Sequence, residues 1–298
     1  MKRGYACGIR HARQPMRHAH TAPQRLNSEM SKKQLPKTAF ITGAAAGIGR
    51  AYALECASRG IELVCADINS EGLDVLKSEI QEKYSIEIHT IVLDMSQADS
   101  PKKCLDYCDQ NCIEIDLLIN NAGIFIFDPF LDADINRIEL MINLHIACMT
   151  RMCRLFGERM KSRRFGYILN MSSMSVWMMM PGINVYNASK AYIRGLSRSL
   201  YFELKPYNVG VTAICPAGVD TQLLPLPDKL KKIARNTGFL MNPAKLVRLA
   251  LNATLKKKIQ SIPGILNNLF AFFMMILPNW LIEFVTHRLP SFKRFWPQ

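Results

Sequence analysis

The sequence has little that would carry the chain across a membrane or out of a cell. Its longest unbroken apolar run, Leu269 to Leu277, falls well short of the roughly 20 residues a bilayer-spanning helix needs. Residues 1–29 are rich in Arg, His, Pro and Ala but hold no apolar h-region, so they do not read as a secretory signal. They read instead as a disordered basic extension ahead of a second start at Met30. A Cys-x2-Cys pair is missing, and no His lies near Cys104, Cys108 and Cys112. That stripe therefore reads as one inert helix face rather than a metal site. The nine cysteines, an odd number, read as reduced thiols of a cytoplasmic protein.

Acidic residues are scarce, 24 against 38 Lys and Arg, and the formal net charge is +14. Such an excess raises nucleic-acid binding as a reading, but its location argues against one. Residues 1–37 carry nine basic side chains against Glu29, a net of +8. Residues 255–298 carry six against Glu283, a net of +5, which leaves +1 for the body between them. Basic ends beside apolar sequence suit anionic lipid headgroups, and no nucleic-acid partner is expected.

What is present is ample core. The chain is 49% hydrophobic and 21% charged over 298 residues, enough for one large ordered domain. Short apolar segments at "KTAFITG", "ELVCAD", "EIHTIVLD", "DLLINNAG", "GYILNMSS" and "GVTAICPAG" alternate with helical spacing, and "KIQSIPG" offers a seventh strand. That alternation predicts an α/β fold, a Rossmann-like doubly wound parallel sheet of about seven strands with helices on both faces. The expected boundaries are 1–36 for the basic extension, 37–264 for the folded domain and 265–298 for an apolar, helical C-terminal extension.

After the first strand the chain reads Thr-Gly-Ala-Ala-Ala-Gly-Ile-Gly, with glycines at 43, 47 and 49. Glycines here permit a tight turn and close approach to a pyrophosphate, and the next helix offers it free N–H groups. The position between a strand and a helix makes this a dinucleotide fingerprint rather than a chance triplet. Asp67, ending the second strand, can accept both hydroxyls of an adenine ribose and repel a 2′-phosphate. Neither Ala46 nor Ile68 is basic, so NAD is expected, with NADP the alternative.

Tyr186 and Lys190 stand four residues apart on a helix, and so share one face. An ammonium beside a phenol favours the phenolate and is expected to lower the tyrosine pKa from about 10.

Taken in order, these features resemble the classical short-chain dehydrogenase/reductase family over roughly residues 38–254. They are the glycine loop, Asp67, the "NNAG" at 120–123, Asn143 in "LMINLHIACM", "NMSS" at 170–173, and Tyr186 with Lys190. The resemblance implies a catalytic set of Asn143, Ser173, Tyr186 and Lys190. Tyr186 would be the acid/base, Ser173 would orient the substrate oxygen, and Asn143 would hold a water connecting Lys190 to solvent. It also implies cofactor contacts at Gly43, Gly47, Ile48, Gly49, Asp67, Asp94, Met95, Asn121, Tyr186, Lys190, Val219 and Thr221. No metal is implied. One departure is Pro216-Ala217-Gly218, where the family writes Pro-Gly.

The expected function is NAD(P)-dependent interconversion of a secondary alcohol and a ketone. "MSVWMMMPG" after Ser173, with Met174, Trp177, Met178, Met179 and Met180, reads as a soft apolar wall for a lipophilic substrate such as a sterol, a retinoid or an acyl chain. The competing reading is a catalytically inactive member of the family that binds NAD as a sensor or scaffold. By resemblance a homodimer or homotetramer forms through segments near 131–161 and 184–206. The interrupted apolar segment around 263–286 reads either as a peripheral membrane contact or as a cap on the substrate cleft.

Overall fold

Strands buried on both faces cannot alternate apolar with polar residues, and these do not. Every residue of β1 (Thr38–Thr42), β4 (Leu117–Asn120), β5 (Gly166–Met171) and β6 (Val209–Ile214) is buried. The computed structural model describes residues 35–178, 180–220 and 240–288, with Phe292 and Phe295. Among these, β2 (Glu62–Asp67), β3 (Ile88–Val92) and β9 (Gln260–Ser261) complete a seven-stranded sheet in the order β3-β2-β1-β4-β5-β6-β9. All of its pairings are parallel. The sequence expectation of seven parallel strands is met, including "KIQSIPG" as the edge.

Successive side chains of a strand point to opposite faces, and two cores follow from that period. On one face Ala39, Ile41, Leu63, Ile119 and Leu169 pack with Tyr52 of α1 (Gly47–Ser58), Leu73, Leu76 and Ile80 of α2 (Ser70–Lys83), and Leu246, Val247 and Leu251 of α7 (Pro243–Leu255). On the other, Phe40, Val64, Leu118, Ile168 and Val211 meet Cys104 of α3 (Ser100–Gln110), Met152 and Phe156 of α5 (Met149–Arg163), and Ile193 of α6 (Asn184–Leu204). Burial pushes the Cys108 thiol up to about 12, as for an inert core cysteine.

Side-chain caps mark the starts of two of these helices. The Asn69 side chain accepts from Gly72 N–H at α2, and Asn242 from Ala244 N–H at α7. Helix α4 (Ile135–Ile142) does not end before α5. A six-residue π-helical segment, Asn143–Cys148, joins them. Such insertions are rare and concentrate at functional sites. A two-stranded ladder pairs β7 (Gly218–Val219) with β8 (Leu240–Met241).

The first strand neighbours β2 on one side and β4 on the other. The strand order therefore reverses between β1 and β4, and the crevice at their carboxyl ends is where this architecture binds ligands. Residues 35–298 form one compact unit that includes α8 (Ile265–Ile276) and α9 (Asn279–Arg288).

Candidate active site

The glycine loop follows β1 into that crevice. Gly43 and Gly47 take φ of +67° and +55°, a left-handed backbone that favours glycine. A Cβ on Gly49 would stand 1.8 Å from the Gly43 carbonyl oxygen, so no larger residue fits. Asn121 braces the loop: its side-chain amide donates to the carbonyls of Thr42 and Gly43, both at 3.0 Å. Asp67 closes the other side, where its carboxylate accepts Ala45 N–H at 2.9 Å and Asn69 N–H at 3.0 Å. Helix α1 begins at Ala46 with no side-chain cap, which leaves its first-turn N–H groups for an anion. A cradle only glycine can line, an uncapped helix end and a carboxylate at the β2 terminus fit a nicotinamide dinucleotide, whose ring supplies or accepts the hydride.

The reactive groups converge from β5 and α6. The Ser173 side chain acts on the Tyr186 phenol, lowering its pKa against the effect of burial, and its oxygen accepts Ser175 N–H at 3.1 Å. Lys190, one turn along α6, is buried; its Nζ donates to the Met171 carbonyl at 2.9 Å and lies 5.6 Å from the Tyr186 ring centre. Burial lowers the Lys190 pKa to about 8. The neighbouring Ser172 is not free for substrate, because its hydroxyl donates to the Lys190 carbonyl at 2.8 Å.

One electrostatic expectation needs correction. The Tyr186 pKa is raised, not lowered: loss of hydration by burial dominates, and the opposing effect comes from the Ser173 side chain. The ammonium of Lys190 is half neutralised near pH 8 and its hydrogen bond points to the backbone. Tyr186 is thus held as an acid, able to give a proton to a ketone oxygen as hydride reaches the carbon.

Asn143 does not join this cluster. Its side chain is exposed where the π segment starts, and the buried polar group of that segment is His145. Asp94 lies beyond β3, where its carboxylate accepts from Ser96 N–H and the Gln97 amide, both at 2.9 Å, and the Gln97 bond heads the causes that lower its pKa. The Met95 side chain turns away into the core beside Cys104, leaving only its backbone for an adenine. Ile48 is half-buried on the loop, and Val219 is buried in β7. Thr221 and Met179 lie outside the described residues. Ala217 is absent from the positive-φ residues, as a side-chain-bearing residue prefers.

Of the residues expected to form the apolar wall, Met178 and Met180 are half-buried. Met174 is buried in the protein interior, and the Trp177 ring is covered by the Arg194 guanidinium at 4.9 Å. Aromatic side chains also pack in this region. Phe125 stands edge-on to Tyr186 at 5.0 Å between ring centres, and Phe127 meets Phe292 and Phe295 at 5.7 and 5.4 Å. Gly182, at φ +86°, admits this cluster; a Cβ there would stand 2.4 Å from the Phe295 ring.

Helices α8 and α9 have two faces. Asn267, Ala271 and Thr286 are buried, whereas Leu269, Phe272, Phe273, Trp280 and Phe284 are exposed. The asparagines that interrupt the apolar sequence bond the chain just before α8: Asn267 donates to Pro263 O and Asn268 to Ile262 O. Of the three lysines ahead of it, Lys256 and Lys258 are exposed, but Lys257 folds back to donate to Asn208 O at 2.6 Å. No helix among the described residues is long and apolar enough to cross a membrane.

Comparison with known proteins points to one family. The family model for short chain dehydrogenase matches residues 37–228. A very-long-chain 3-oxoacyl-CoA reductase of Danio rerio is 33% identical over 233 residues, covering 76% of this chain and 69% of the relative. The bulky-bulky ketone specific alcohol dehydrogenase of Comamonas testosteroni superposes with a TM-score of 0.68 at 28% identity, over 82% of this chain and 96% of that one. A Sphingobium yanoikuyae short-chain dehydrogenase solved with NADPH gives 0.69 at 26% identity, over 82% and 97%. With this fold, this glycine cradle and this Ser-Tyr-Lys arrangement, the chain belongs to the short-chain dehydrogenase/reductase family, oxidoreductases that act on alcohol and keto groups.

Proposed function

We propose that the chain interconverts a 3-oxo and a 3-hydroxy group on a long acyl thioester, using Tyr186 as the proton donor in reduction. The observation that carries this reading is the aromatic wall beginning at the Tyr186 ring itself, with Phe125 at 5.0 Å. Phe127, Phe292 and Phe295 supply further apolar surface for a long chain. The Danio rerio relative, named for very-long-chain 3-oxoacyl-CoA reduction, supports the acyl choice over a sterol or retinoid. Asp67 supports NAD over NADP, because a 2′-phosphate would meet its carboxylate, and the adjoining Ile68 offers no positive charge.

The test is turnover of 3-oxoacyl thioesters of rising chain length against steroid and retinoid ketones, with NADH and NADPH. A lipophilic site gains at most about 0.8 kcal/mol for each methylene it buries. Rising kcat/KM with acyl length is expected. Preference for a steroid ketone, or no turnover at all as an inactive scaffold would give, contradicts the reading.

The outward face of α8 and α9 supports a peripheral membrane contact. Trp280 and Phe272, 66% and 55% exposed, sit among few acids, with Lys256, Lys258 and Arg288 nearby in sequence. The two readings of this segment are then compatible, with one face toward the body of the protein and the other toward lipid. Phe130, Leu131, Ile135 and Phe202 are exposed along the segments assigned to self-association, which supports a homodimer or homotetramer.

A further inference from the structure

One buried polar side chain beside Tyr186 has no part in the chemistry described above. His145 is 1% exposed, inside the π-helical segment. Its Nε2 lies 3.1 Å from the Ile124 N–H. A backbone N–H only donates, so Nε2 is the acceptor and the ring proton sits on Nδ1. Nδ1 therefore donates to the Ser189 hydroxyl at 2.9 Å, and that hydroxyl donates to the Tyr186 carbonyl at 2.8 Å. The directions of all three bonds are fixed by one another.

The surroundings are built for this ring. A Cβ on Gly123 would stand 2.5 Å from Nε2, so the residue ahead of Ile124 must be glycine for the imidazole to fit. The ring centre is 6.0 Å from that of Tyr186, at 71°. Burial, and then the Lys190 charge, lower the His145 pKa, which keeps the single tautomer in place.

We propose that His145 is a positioning residue for Tyr186: a neutral strut that ties the loop after β4 to the first turns of α6 and so sets where the phenol stands. The inward polar group of this helix is then His145, two residues past the Asn143 singled out by resemblance. The π segment is what turns it inward.

This proposal rests on the hydride-transfer reading, and its test separates the two. Three variants of the full-length enzyme are compared. His145→Asn places an amide donor near Nδ1 and keeps the Ser189 bond. His145→Gln places an acceptor near Nε2 and keeps the Ile124 bond. His145→Phe keeps a ring and neither bond. The readouts are kcat, ketone KM, dinucleotide Kd and melting temperature.

A misplaced acid costs up to roughly a hundredfold in rate. We expect kcat for His145→Phe to fall roughly thirtyfold to a hundredfold, with dinucleotide Kd changed less than about threefold. His145→Asn or His145→Gln should recover about tenfold of that loss, on a scale the melting temperatures do not follow. If His145→Phe does not fold, the other two decide, with a loss of about threefold or more in at least one of them expected. Wild-type kcat in a folded His145→Phe, or in both polar variants, overturns the proposal alone. Absence of wild-type turnover with either dinucleotide overturns the hydride-transfer reading and this proposal with it.

Discussion

Lys190 stands 5.6 Å from the Tyr186 ring centre yet gives its hydrogen bond to the Met171 carbonyl. The pair shares a helix face, as i and i+4 spacing requires, but the side chain that lowers the phenol pKa against burial is Ser173, just beyond β5. Burial holds the proton on the Tyr186 phenol, which supports the reductive role proposed for it. Tyr186→Phe should leave folding and dinucleotide binding intact and lower turnover by about 10²–10⁴ or more. Steady-state rates beside a dinucleotide titration check this, and a variant that keeps most of its activity removes Tyr186 from the mechanism.

The pH dependence follows from the same two groups. Reduction needs Tyr186 protonated, and burial raises its pKa, so the phenol does not limit at neutral pH. Lys190 is charged below about 8 and neutral above it. If its charge helps hold the dinucleotide and the developing phenolate, kcat/KM for ketone reduction should fall as pH rises through about 8. A profile flat from pH 7 to 10 contradicts that role.

Asp67 has two tasks that substitutions separate. Its oxygens hold Ala45 N–H and Asn69 N–H, so Asp67→Ala should destabilise the fold by about 1–3 kcal/mol. Asp67→Asn keeps one acceptor, loses the charge and turns its amide NH2 toward the other N–H. It should lose part of that stability and relax discrimination against NADP by about tenfold, or 1.4 kcal/mol. Unchanged dinucleotide preference, measured by kcat/KM for both, counts against the ribose role.

Two glycines should respond oppositely to alanine. At Gly49 the new Cβ meets the Gly43 carbonyl at 1.8 Å, so dinucleotide binding should be lost and stability should drop by about 3 kcal/mol or more. At Gly195, exposed on α6 with nothing within 4 Å, alanine should add about 0.5–1 kcal/mol through helix propensity. Chemical denaturation of both variants measures the contrast; equal effects contradict the assigned backbone geometry.

The outward face of α8 and α9 makes a separate prediction. Phe272→Ser with Trp280→Ser should abolish co-sedimentation with anionic vesicles while leaving turnover of a short, soluble ketone within about threefold of normal. Partition of interfacial aromatics and nearby cations contributes on the order of 1 kcal/mol for each group near a charged surface. Vesicle binding that survives both substitutions locates the contact elsewhere.

Much of the fold was legible because buried parallel strands and amphipathic helices leave different periods in the sequence. The seven strands and the glycine loop between the first strand and helix were readable. What was not readable depended on rotation about a helix axis. A π insertion shifts the facing of every residue after it. Nothing in "LMINLHIACM" announced that Asn143 would be exposed and His145 buried. The pairing of His145 with Gly123 was the available signal, and it exists only across strand and helix. The aromatic contacts were not legible for a similar reason. Phe125 meets Tyr186, and Phe127 meets Phe292 and Phe295, residues distant in sequence and assembled by the fold. The sign of the Tyr186 shift needed burial, which no four-residue spacing reports.

The central claim is hydride delivery to a ketone carbon with Tyr186 supplying the proton. It is tested most directly by incubating the enzyme with NADH or NADPH carrying deuterium at both C4 positions and a long-chain 3-oxoacyl thioester, then locating the label by mass spectrometry. One deuterium is expected at C3 of the hydroxyacyl product, formed about 10²–10⁴-fold more slowly by Tyr186→Phe. Product bearing no label, or labelled product formed equally fast by the variant, would contradict it.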